Sequence, residues 1–229
     1  MDNTSRADKS EVTGFLNRTV TMVGEERRYV LYKPWEYDSS TSWPLIVFLH
    51  GAGERGDDGL KPSDVGLGRA IRHHAERFPA LAVMPQCPED SWWDKELGVV
   101  DAVMDAALQT CSVDEDRIYL TGLSMGGFGT WWYGAMHPGR FAALLPICGG
   151  GRPEEAGELA RVPIWAVHGA DDAVVPPSES RRMVEAVREA GGTVEYTELA
   201  GVGHNSWDAA YGDPAIIRWL FEQERGRRG

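Results

Sequence analysis

Cysteine is scarce in this chain. Its three thiols, Cys87, Cys111 and Cys148, are odd in number and lack the paired spacing of a metal site. Neither a disulfide scaffold nor a bound metal is therefore expected, and reduced thiols in a cytoplasmic protein are. No apolar run approaches the roughly 20 residues that cross a bilayer, and no repeat or low-complexity linker divides the sequence. The polar start, Met1 to Glu11, lacks the apolar stretch of a secretory leader. Positive charge is also short, with 23 Lys and Arg against 35 Asp and Glu and a net charge of −12. Nucleic acids and anionic membranes are polyanions, so neither is expected as a partner.

What is present fits one layered domain. The chain has 229 residues, 42% of them hydrophobic, enough to bury a full core. Arg18 to Met22 and Arg28 to Leu31 read as a hairpin around Gly24. Apolar runs near 45–49, 80–84, 117–121, 142–147, 162–167 and 194–199 then alternate with helical patterns near 64–77, 97–110, 125–136, 178–190 and 213–222. Such alternation gives an α/β fold, a mostly parallel sheet with helices on both faces. The connection from Ile147 to Val162 is too short for a large cap domain, and the charged ends, 1–11 and 224–229, are expected to fray.

The most informative string is Gly122-Leu123-Ser124-Met125-Gly126. It follows a β-branched apolar run and opens a proline-free helical stretch, so Ser124 lies at a strand–turn–helix apex, the layout of a nucleophile elbow. A serine hydroxyl needs a base, and the base needs an acid to fix its tautomer. The strand near 162–167 runs into His168-Gly169-Ala170-Asp171-Asp172, and the strand near 194–199 leads to Gly203-His204. His204 is the expected base. Spacing does not separate Asp171 from Asp172 as the acid. Asp208, four residues past His204, suits loop capping better. All these positions lie just past strand ends, on the edge where open parallel sheets form their sites.

The other histidines have plainer roles: His73 and His74 on a solvated helix face, His137 at a helix end, and His50 and His168 in turn-forming or supporting places. An oxyanion formed at an acyl carbon needs backbone donors. The expected ones are Met125 N–H, at the helix start, and Ala52 or Gly53 N–H in the glycine-rich turn His50-Gly51-Ala52-Gly53-Glu54-Arg55-Gly56. That turn also matches the dinucleotide spacing Gly-x-Gly-x-x-Gly, but Asp57-Asp58-Gly59 and Pro62 follow where a phosphate-binding helix should begin, and no Gly-Lys-Ser/Thr is present. No cofactor is expected. Of nine tryptophans most sit in core elements, whereas Trp92, Trp93 and Trp207 lie on the expected site edge as candidate walls of a substrate pocket.

The strings Leu49-His50-Gly51-Ala52-Gly53-Glu54-Arg55-Gly56, Met84-Pro85-Gln86-Cys87-Pro88, Gly122 to Gly127, Ile147-Cys148-Gly149-Gly150, His168-Gly169 with Asp172 and Val175-Pro176, and Gly203-His204-Asn205-Ser206-Trp207 together resemble single-domain esterases of the α/β-hydrolase superfamily. These are the feruloyl-esterase and polyhydroxybutyrate-depolymerase relatives of the dienelactone hydrolases. The resemblance implies a single-domain α/β-hydrolase fold, selects Asp172 over Asp171, and makes Ser124 the nucleophile and His204 the base. Dienelactone hydrolases proper carry cysteine at the elbow where this chain has Ser124, so lactone hydrolysis of that kind is not implied. The expected activity is hydrolysis of small to medium acyl or aryl esters through an acyl-enzyme. Acyl transfer to an alcohol or thiol, and a non-catalytic binding role on the same fold, are the alternatives.

Overall fold

The computed structural model describes residues 11–226. Strands β1 (Gly14–Met22) and β2 (Glu25–Lys33) form an antiparallel hairpin. Val23 and Gly24, at φ 49° and 83°, make the two-residue turn whose twist matches that of the flanking strands. Strands β3 (Trp43–Leu49), β4 (Leu81–Pro85), β5 (Val113–Leu123), β6 (Ala143–Ile147), β7 (Ile164–Gly169) and β8 (Val194–Leu199) complete an eight-stranded sheet. Its order is β1-β2-β4-β3-β5-β6-β7-β8. Only the β1–β2 and β2–β4 pairings are antiparallel. β4 and β6 are buried along their whole length, which is why their sequences are continuous rather than alternating apolar runs.

Helices α1 (Gly66–His73), α2 (Trp93–Thr110), α3 (Met125–Met136), α4 (Ala156–Leu159), α5 (Ser178–Glu189), α6 (Trp207–Gly212) and α7 (Pro214–Glu222) cover both faces. One core layer joins Val100, Trp131 and Met183 of α2, α3 and α5 to the sheet; the other joins Leu67, Tyr211 and Ile217 of α1, α6 and α7 to it. The fold is a single-domain α/β fold of the α/β-hydrolase type. Between β6 and β7 the chain adds one 3-10 turn, Pro153–Glu155, and the four-residue α4.

Four details depart from the sequence reading. The helix expected over 64–77 is shorter, with 3-10 turns at Lys61–Ser63 and Ala75–Arg77 outside it. α2 starts at Trp93 rather than near 97. Neither α4 nor α6 was expected. The ends expected to fray lie mostly outside the described residues, but those within them are bonded: Glu11 accepts from Ser39 N and pairs with Lys33, while Arg225 N donates to Asp116 O at 2.8 Å and its guanidinium binds the Asp116 carboxylate. Among the described residues no helix is long and apolar enough to cross a membrane.

Candidate active site

The site edge is built by four loops that leave the C-terminal ends of β3, β5, β7 and β8. Ser124, between β5 and α3, has φ 52° and ψ −117°, a conformation that side chains rarely adopt. The turn is held by close backbone contact. A Cβ on Gly126 would collide with the carbonyls of Leu49 and His50, and one on Gly122 would sit 2.7 Å from Leu49 O. Ser124 N–H donates to Ile147 O at 3.0 Å, which ties the apex to β6.

Around this apex the structure brings together Ser124, His204 and Asp172. His204 Nε2 lies 2.9 Å from Ser124 Oγ, and His204 Nδ1 lies 2.7 Å from Asp172 Oδ2. A carboxylate oxygen only accepts, so Nδ1 carries the proton and Nε2 faces the hydroxyl as an acceptor. Asp172 Oδ1 takes the N–H groups of Val174 and Val175, both at 2.9 Å. Burial alone raises the Asp172 carboxyl, but the His204 and backbone hydrogen bonds outweigh it and hold the group below its ordinary range. Asp172 therefore stays ionised beneath the imidazole. Asp171 is exposed, and Asp208 binds Asn205 Nδ2 at 3.0 Å instead.

The loop after β3 passes directly beside Ser124, because Gly51 has no side chain there. A Cβ at Gly51 would stand 2.9 Å from Leu123 Cδ1 and 3.6 Å from Ser124 Cβ. Ala52 and Gly53 open the single 3-10 turn Ala52–Glu54, and Met125 opens α3, so the N–H groups of all three belong to first turns that offer them no internal acceptor. Gly56 follows at φ 142° with its N–H on Cys87 O, and the next α-helix waits until Gly66. The dinucleotide spacing thus has no helix behind it. Arg55 braces the turn through Ala52 O at 3.0 Å and Ser91 O at 3.3 Å.

His50, fully buried, anchors this loop to its neighbours. Its Nε2 accepts from Cys87 N–H at 3.0 Å, and its Nδ1–H donates to Gly51 O at 2.6 Å. Burial pushes its pKa from 6.5 down to about 4. The unfolded chain thus takes up this proton first. The stability His50 contributes is complete above pH 6.5 and is lost as pH falls toward 4, a span of about 3 kcal/mol. Urea midpoints are expected to fall across that window and to fall less steeply in His50→Gln; a flat wild-type profile contradicts this.

The three candidate tryptophans separate. Trp207 stands edge-on to the His204 ring at 5.4 Å, and Trp92 is 46% exposed with the Arg55 guanidinium 5.4 Å from its ring. Trp93 is a correction: it is 0% exposed, and its indole N–H donates to His50 O at 2.9 Å. It braces the end of β3 from inside and lines no open wall. Trp93→Phe is expected to lower unfolding stability by about 1–3 kcal/mol by orphaning that carbonyl, and Trp92→Ala to change it by less than about 0.5. Equal urea midpoints for the two variants would contradict the assignment.

Some neighbours were not foreseen in the sequence. Cys148, at φ 41°, follows β6, and one donor atom each of Cys148, Asp172 and His204 lies within 4.8 Å of the others. Burial pushes the Cys148 thiol up to about 12, which keeps it protonated and a weak ligand or nucleophile. Cys148 owes its place to the backbone bond of its N–H to Val167 O at 2.8 Å, a long-range pairing that no spacing signals.

The sheet order, with the elbow after β5 and the acid and histidine loops after β7 and β8, defines the α/β-hydrolase class. Residues 82–209 match the dienelactone hydrolase family, and the chain belongs to that family. It is similar to the "Probable feruloyl esterase C" of Aspergillus terreus, 26% identical over 153 residues, which cover 66% of this chain and 56% of that protein. The chain spans about half the length of the curated relatives it matches. Among solved structures it resembles a thermostable esterase, with a TM-score of 0.85 and 38% identity over 92% of this chain and 63% of the other. The feruloyl esterase module of Clostridium thermocellum shares the fold at a TM-score of 0.74 and 16% identity, over 94% and 90% of the two chains.

Proposed function

We propose that this protein is a metal-free serine carboxylic-ester hydrolase using a Ser124–His204–Asp172 triad. The observation that carries the reading is the unbroken hydrogen-bond chain of 2.9 and 2.7 Å from hydroxyl to imidazole to carboxylate. Ser124 Oγ attacks the acyl carbon while His204 Nε2 takes its proton, and Asp172 stabilises the resulting imidazolium. The oxyanion receives the N–H of Met125 and that of Ala52 or Gly53. His204 then protonates the departing alcohol, leaving an acyl-serine. Water, losing its proton to His204, releases the acid and restores the Ser124 hydroxyl.

Small to medium acyl and aryl esters suit this reading, with Trp207 and Trp92 as pocket walls. The feruloyl esterase names among the relatives make methyl ferulate a natural test ester. A panel of p-nitrophenyl esters of rising chain length, methyl ferulate, a thioester and a peptide amide tests it. Turnover of oxygen esters above the amide is expected. Preferential turnover of the thioester, or acyl products on an added alcohol, moves the reading to thioesterase or acyltransferase; no turnover and no acyl-enzyme moves it to a binding protein.

A further inference from the structure

Asp172 has a second histidine on it. His168, in β7, is fully buried, and its Nε2 faces two atoms that only accept: Val175 O at 2.9 Å and Asp172 Oδ2 at 3.2 Å. That nitrogen therefore carries a proton. On the other side of the ring, Nδ1 lies 2.7 Å from Ser180 Oγ of α5, which also stands 2.8 Å from Gly149 O. The one proton of the Ser180 hydroxyl goes to Gly149 O, which leaves the Ser180 oxygen as the acceptor facing Nδ1, while burial weighs against charge on the ring and pushes its pKa below the ordinary value. The Asp172 carboxylate accepts three N–H groups, two from Val174 and Val175 on Oδ1 and one from His204 on Oδ2, and the His168 Nε2–H, which donates to Val175 O, stands 3.2 Å from that same Oδ2.

We propose that His168 is a positioning residue for the hydrolysis, whose Nε2–H holds the Val175 loop around the Asp172 carboxylate and, standing beside Oδ2, tempers its pull on His204. The inference rests on the function proposed above. Its logic is electrostatic. Three N–H donors surround the carboxylate, and the His168 bond to Val175 O holds the loop whose Val175 N–H binds Oδ1, so the group is kept turned toward His204. The His168 N–H also draws charge from the oxygen that binds His204 Nδ1. Without it, Oδ2 would hold an imidazolium more strongly, and the base would be freed from its proton only at higher pH. The other ionisable groups near this pair are the Cys148 thiol after β6, Glu198 on β8, bound to Arg181 of α5 and Tyr196, and Glu179 on α5, bound to Arg182.

The test compares kcat/KM against pH for wild type, His168→Leu and His168→Gln on p-nitrophenyl acetate. In His168→Leu the acid limb is expected to move up by about 0.5–1 unit with KM unchanged. In His168→Gln, whose amide N–H can replace Nε2–H, the limb returns toward the wild-type position. Limbs that coincide in all three, with only stability lost, overturn the proposal. Should the leucine variant not fold, nitrogen NMR of labelled wild type decides: a proton on His168 Nε2, its resonance moving in Asp172→Asn, supports the proposal, and an Nε2 without a proton overturns it. Ser124→Ala separates the two levels. Retained hydrolysis in that variant removes the triad and this inference together, whereas an inactive Ser124→Ala beside an unmoved limb removes this inference alone.

Discussion

Ser124→Ala lowers kcat for an activated ester by about 10⁶-fold, the scale expected when a triad nucleophile is removed. The change deletes one oxygen. The strained turn at φ 52° depends on Gly122 and Gly126 lying against the backbone of β3, which alanine at the apex does not disturb. The fold therefore survives, and the loss is chemical. Steady-state turnover of p-nitrophenyl acetate, read beside the thermal unfolding midpoint of each protein, separates the two causes. Activity falling only as far as the folded fraction falls would contradict the role given to Ser124.

Asp172→Asn is expected to cost about 10⁴-fold in kcat, because an asparagine can offer His204 Nδ1 a donor instead of an acceptor and so favour the wrong tautomer. Asp171→Asn is expected to leave kcat within about twofold, since that side chain is exposed and only its backbone is engaged, through N–H to Val202 O at 3.0 Å. The contrast is sharp because the two residues are adjacent. Measuring both variants on one ester decides which carboxylate serves His204; equal losses would place the effect in the loop and not in the charge.

That adjacency also marks where the sequence stops being legible. The elbow could be read because its glycines answer a local demand, backbone packed on backbone, and β8 and α3 fall where periodicity put them. Asp171 and Asp172 could not be parted by spacing, since a one-residue step in a loop decides which carboxylate turns inward. Trp93 misled for a related reason. The pair Trp92-Trp93 straddles the start of α2, and only the turn of that helix sends one ring to solvent and the other under His50. The second partner of Asp172 was hidden more deeply. His168 read as a supporting residue at a strand end, but its contacts to Val175 and Ser180 come from two later segments that converge only in the folded sheet.

The central claim is that Ser124 is a nucleophile activated by His204, and active-site labelling tests it most directly. A fluorophosphonate probe should give one covalent adduct by intact mass, mapped to the peptide carrying Ser124, and the adduct should vanish in His204→Ala. An unlabelled wild-type protein, or an adduct on another residue that abolishes ester hydrolysis, would contradict the account.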